Sequence, residues 1–150
     1  MNKFKFRLES LKKIYEQREE KAKKELALCM RELKLCKNHL SALKSICLSI
    51  NEDLQKKKTG KVNMQIVLVT ESYLRALKEK INLKNEEKKQ IEAQVQVKRL
   101  ELNEIMKQRK ILDKLKEKQL KTYLIEANRL EQKVLDEIAT NIFLTTAGGD

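Results

Sequence analysis

The side chains best equipped for chemistry are a lone histidine, His39, and three cysteines, Cys29, Cys36 and Cys47. Nucleophilic catalysis or metal ligation would require several such groups brought together. Cys29 and Cys36 lie seven residues apart, which on a helix places them on one face about 10 Å apart, too far to bridge. No CxxC pair occurs, and Cys36 with His39 offers at most two of the four ligands of a structural zinc site. An odd number of cysteines in a loop-poor chain also argues against a disulfide framework. The three read as small apolar filler. There is no glycine-rich phosphate loop and no paired set of acid and base. The sequence therefore predicts no catalytic residue, no metal site and no cofactor, and a non-enzymatic protein.

The elements that position these residues are helical. Charged residues make up 37% of the chain, aromatics 4%, and proline and tryptophan are absent. Such a mixture favours long helices, and it holds too few large apolar groups for a compact core. Apolar residues recur in alternating steps of three and four at Leu26, Cys29, Leu33, Cys36, Leu40, Leu43, Cys47, Ile50 and Leu54. That is a coiled-coil seam with Leu26 at a and Cys29 at d. Upstream, Leu8, Leu11, Tyr15, Ala22 and Leu26 continue the stripe, with a stutter that should unwind the supercoil near 18–26. The break falls at Lys56-Lys57-Lys58-Thr59-Gly60-Lys61, where Gly60 suits a helix end. A second seam runs through Val67, Thr70, Leu74, Leu77 and Ile81. It weakens at Lys84 and Lys88, then resumes at Ile91, Val95, Leu102, Ile105 and Leu112.

The expected fold is all-α: an antiparallel two-helix coiled coil, about 4–57 and 62–143, in a single domain over 1–150 with a disordered tail at 144–150. A short loop makes the helices antiparallel neighbours. Residue numbers should then add to roughly 120 across the pair, so that Leu54 meets Val67 and Leu8 meets Leu112. Helix two would overhang from about Glu117 to Phe143.

No run of about 18 apolar residues occurs, so no transmembrane segment is expected, and the start of the chain lacks the features of a signal peptide. The expected location is cytoplasmic. The net charge of +12 is uneven: +8 over residues 1–60, +4 over 61–100 and zero over the last fifty. Such a balance favours acidic partners or nucleic acid, although lysines also simply solvate outer helix faces. Interleaved acids and only six aromatics leave nucleic-acid binding poorly supported. A membrane-surface helix is poorly supported too, because the stripe is narrow and evenly flanked by charge.

Beside the seam lies a second apolar strip near the loop. Leu35, His39, Ala42 and Ile46 occupy c and g positions of helix one, and Ile66, Val69, Tyr73 and Ala76 occupy g and c positions of helix two. The g edges of an antiparallel pair face each other. The strip, flanked by Leu43, Ile50 and Leu77, is therefore a candidate partner surface anchored by Ile46 and Tyr73.

Both ends of the chain carry a resemblance. The opening, Phe4-Lys5-Phe6-Arg7-Leu8-Glu9-Ser10-Leu11-Lys12-Lys13-Ile14-Tyr15-Glu16-Gln17-Arg18-Glu19, resembles the start of the flagellar export protein family FliJ. The segment Asn128-Arg129-Leu130-Glu131-Gln132-Lys133-Val134-Leu135-Asp136-Glu137-Ile138-Ala139 resembles that family's closing segment. Tyr73-Leu74-Arg75-Ala76-Leu77 with Ile81 fits the family's start of helix two. The resemblance implies a component of the flagellar type III export apparatus, cytoplasmic and peripherally associated with the apparatus at the inner membrane. Its implied partners are the export ATPase, whose ring it enters like the stalk of a rotary ATPase, the cytoplasmic domain of the export gate protein, and export chaperones. The implied gate contact falls on His39, Leu43, Ile46, Ile50, Tyr73, Leu77 and Lys80, joined by Ala42, Val69 and Ala76 from the derived strip. The implied ATPase contact takes Phe4, Phe6, Arg7, Leu8, Leu11, Arg129, Leu130, Val134 and Ile138. A generic coiled-coil spacer or tether, or a basic nucleic-acid-binding coiled coil, would be the alternative.

Overall fold

A computed structural model describes residues 3–148. Among them are two helices, α1 over Glu9–Lys57 and α2 over Met64–Ala147. The fold is an all-α hairpin coiled coil, as the seam predicts. Tertiary contacts group the chain, read from sequence as one domain, into two compact units. One joins residues 1–19 to 104–150, and the other holds residues 20–103.

The helix ends differ from the expected bounds for local reasons. Residues 3–6 are not helical, and α1 starts at Glu9 rather than Phe4. Phe6 is buried, and Phe4 packs on Tyr123 with ring centroids 5.5 Å apart. Residues two apart diverge on a helix but share a side of an extended chain, so extension lets both rings turn to α2. At the other end of α1, Lys56 and Lys57 sit in the last turn. There the Thr59 hydroxyl donates to the Lys56 carbonyl at 2.7 Å. Gly60 adopts φ +96°, a conformation costly for any residue with a Cβ. Asn63 then caps α2: its side-chain oxygen accepts from the Gln65 backbone N–H at 3.1 Å. That cap explains why α2 starts at Met64 instead of Val62. At its far end α2 runs past Phe143 to Ala147. Residues 144–147 of the expected tail are thus its last turn, and the Gly148 N–H donates to the Leu144 carbonyl. The remainder of that tail, Gly149 and Asp150, lies outside the described residues.

In the unit of residues 20–103 the seam is mainly apolar. Leu54, Val67 and Leu74 form a buried cluster, with Cys47 and Ile50 packed against it. The expected meeting of Leu54 with Val67 is therefore present. Cutting one of these leucines to alanine would cost about 2–5 kcal/mol. Cys36 is buried, and its thiol donates to the Lys84 carbonyl at 3.7 Å, consistent with its reading as filler. Lys84 and Lys88, where the apolar seam weakens, are half-buried and in phase. Lys98 crosses to Glu25 at 3.3 Å.

In the unit of residues 1–19 and 104–150 the seam is charged. Arg109 lies against the carboxylate of buried Glu19 and also holds Asp113. Lys116 meets Glu9 at 2.8 Å, and Lys12 meets Asp113 at 3.5 Å. Burial works against the Arg109 cation, but hydrogen bonding and attraction from Glu19, then Asp113, raise its pKa above the ordinary value. The Glu9 carboxyl is held below its ordinary value by the hydrogen bond from Lys116, opposed by desolvation and helped by attraction to Lys116, Lys12 and Lys13. The Glu9 contribution is thus present above its unfolded pKa and is lost as pH falls through the folded one. It is surface-exposed and weakens in salt.

These pairs correct two expectations. The burial of α1 steps evenly through Leu8, Lys12, Tyr15, Glu19, Ala22 and Leu26, so the heptad phase needs no stutter. An apolar scan sees a gap where the seam holds Lys12 and Glu19. The register also differs: Glu9 pairs with Lys116, whereas the expected register put Leu112 opposite Leu8. Side chains tilt toward the N-terminus of their own helix. In an antiparallel pair this tilt joins residues whose numbers are both higher than the backbone level suggests. The extended segment before α1 reaches further still, with Phe4 on Tyr123, and half-buried positions continue to Tyr123 and Ala127. The uncovered part of α2 starts near Asn128, not near Glu117.

Truncating one member of a buried ion pair removes the closest compensation for the other charge, whereas an apolar pair of like volume can be neutral or stabilising. Glu19→Leu alone and Arg109→Met alone should each destabilise, by at most about 3–5 kcal/mol because Asp113 still holds Arg109, and the double variant should recover most of the loss. Urea denaturation followed by circular dichroism checks this. Additive losses in the double variant would show that the pair does not act as a unit.

Candidate interaction surfaces

A two-helix seam covers a narrow stripe of each helix, so apolar residues elsewhere remain in contact with solvent. The unit of residues 20–103 carries the predicted strip. Ile46, Val69 and Tyr73 are 45%, 69% and 52% exposed. His39, Ala42, Ala76 and Lys80 are exposed beside them, and Leu43 and Ile50 are half-buried. Leu77 is only 4% exposed, so it packs inside the seam and offers little surface to a partner. The strip is also longer than the sequence reading made it. Leu35 of the predicted strip is exposed, Leu28 precedes it at a c position of α1, and Leu83 extends the strip at a c position of α2, both exposed as well. Following the c positions one heptad further along each helix would have found Leu28 and Leu83.

The other unit carries the uncovered stretch of α2. Leu130, Val134, Ile138 and Ile142 are exposed at steps of four, one face of a helix. Residues 128–147 hold two basic and three acidic side chains, unlike the strongly basic remainder. Of the residues expected to contact the ATPase, Arg7, Leu11, Arg129, Leu130, Val134 and Ile138 are exposed. Phe6 is buried and Phe4 is engaged with Tyr123, so both aromatics serve the docking of the N-terminal segment on α2. Leu8 is half-buried in the seam. The structure therefore separates the nine into six that are free at the surface and three that hold the unit together.

Among the described residues no group of three or more His, Cys, Asp or Glu could hold a metal ion. All three cysteines are free, Cys36 buried and the other two half-buried. No helix among the described residues is long and apolar enough to cross a membrane.

The architecture is therefore a charged, thin-seamed helical hairpin with uncovered apolar faces. A family model described as flagellar FliJ protein matches residues 4–148. The match spans both helices, the loop and the N-terminal segment. Searches of curated proteins and of solved structures give no significant match. The chain belongs to the FliJ family and is a component of the flagellar export apparatus.

Proposed function

We propose that the chain is a non-enzymatic, stalk-like connector of the flagellar type III export apparatus. It binds the ring of the export ATPase and the cytoplasmic domain of the export gate protein, and it escorts export chaperones. It works in the cytoplasm, peripherally associated with the export apparatus. The observation that carries this reading is the uncovered helix over residues 128–147. A helix without tertiary packing is marginal in water, and this one presents an apolar face that nothing among the described residues covers. A ring enclosing it would supply that packing. Arg7, Leu11, Arg129, Leu130, Val134 and Ile138 are the contacts. The strip of Ile46, Val69 and Tyr73, with His39, Ala42, Ala76 and Lys80, is the surface for the gate, edged by Leu43 and Ile50.

Ending the chain after Ala127 removes the uncovered stretch and leaves Tyr123 under Phe4. Stimulation of the export ATPase should disappear in this variant. Full stimulation by the shortened chain would contradict the ring contact.

Tyr73→Ala combined with Ile46→Ala removes the two anchors of the strip, each at least two-fifths exposed in the free chain. Affinity for the gate domain should drop by a factor of about ten or more, since binding energy concentrates in large side chains. The circular dichroism spectrum should stay helical. Unchanged affinity would remove the strip from the gate contact, and loss of helicity would make these residues structural.

A further inference from the structure

The seam and the strip explain only part of the start of α2, which lacks the narrow, evenly charge-flanked stripe that argues against a membrane-surface helix elsewhere in the chain. From Val62 to Thr70 no residue is charged. Within this run only Val67 is buried. Val62, Met64, Ile66, Leu68 and Val69 are all exposed, Met64 and Leu68 at 65% and 58%. At 100° per residue, Met64, Ile66, Leu68 and Val69 spread over more than half of the helix circumference. A helix apolar nearly all round is ordinarily buried. A helical partner laid in a groove would need one stripe, not this spread.

Positive charge brackets the same run. Lys56, Lys57, Lys58 and Lys61 precede it, and Arg75 and Lys78 follow it. The first turn of α2 has no acidic residue. Among the nearby acids, Glu71 is held by Lys58 at 3.3 Å, while Glu52 and Asp53 lie on α1 before the lysines. Lysines flanking an uncharged apolar run match a surface that is apolar below and anionic above. Their stems can lie along apolar groups while the ammonium heads reach phosphates. Nucleic acid would use the lysines but offers nothing to Met64 or Leu68, and no aromatic stacking platform stands among them.

We propose that the loop and first turns of α2 dock on an anionic lipid surface. Met64 and Leu68 settle among the upper acyl chains, and Lys56, Lys57 and Lys61 pair with lipid phosphates. This contact is separate from the proposed gate strip. Met64, Leu68 and the three lysines stand outside the residues assigned to the gate.

The test uses the full chain and sedimentation with vesicles. One set is phosphatidylcholine alone, and the other contains about 30% phosphatidylglycerol, both at about 0.1 M salt. The chain should sediment with the anionic vesicles and stay in solution with the neutral ones. Changing Lys56, Lys57 and Lys61 to Gln together should weaken binding roughly a hundredfold, about fivefold per lysine. Met64→Ser with Leu68→Ser should weaken it about tenfold or more. Both residues are exposed, so helicity should hold, and Met64→Glu alone provides a second variant with the same expected loss. Gate-domain binding of these variants should equal that of the unaltered chain, which keeps failure here distinct from failure of the gate reading. Equal binding to neutral vesicles would overturn the proposal. So would binding that responds to the lysines but not to Met64 or Leu68, which would mark a charge effect shared with nucleic acid.

Discussion

Two helices packed along a single seam bury mainly the a and d positions of each, because among the described residues no third element stands over the remaining faces. The rest of this structure follows from that constraint. Apolar side chains at b, c, e and g stay in water unless another molecule covers them. That is why Ile46, Val69, Tyr73, Met64 and Leu68 are exposed although each is apolar or amphipathic. A chain of this length folded around a compact core would have hidden them. Here the thin seam leaves them available as surfaces, and their clustering near the loop and along the end of α2 gives those surfaces locations.

The seam itself is uneven in chemistry. Near the loop it is closed by Leu54, Val67 and Leu74. In the unit formed by the chain's two ends it is occupied by Glu19, Arg109, Lys116 and Glu9. Buried ion pairs contribute little net stability compared with apolar pairs, since desolvation offsets the attraction. They do penalise wrong alignments, because a shift by one heptad would separate Glu19 from Arg109 across the seam. A polar seam residue can fix register in this way. An apolar seam of evenly spaced leucines would tolerate such slips better. The charged unit is also the one where α2 outruns α1, and fixed register there determines how much of α2 stays uncovered.

Much of this was legible in the sequence, and the failures have physical causes. The alternating steps from Leu26 to Leu54 and the break at Gly60 were enough for the hairpin, because periodicity and a glycine suited to a helix end both report backbone geometry. The apolar strip followed from heptad positions. What escaped was every place where polar residues do apolar work. Lys12 and Glu19 fall on a positions when the phase of Leu26 is carried backward, but a scan for apolar residues reads them as a gap. Lys84 and Lys88 were hidden for the same reason. The first helix was expected from Phe4, yet residues 3–6 are not helical. Two aromatics two residues apart cannot share a helix face, and that was the available signal. The overhang was placed too early because the pairing estimate ignored the tilt of side chains and counted the extended residues before α1 as helix, although an extended chain spans about twice the length per residue.

The central claim is that one seam covers α2 as far as Ala127 and leaves the rest of that helix bare. Hydrogen exchange along α2 in the isolated chain tests it most directly, since local opening reports local packing. The account predicts slow exchange for amides from about Val67 to Ala127 and fast exchange from Asn128 to Ala147. Protection of the last twenty residues equal to that of the paired region would contradict it.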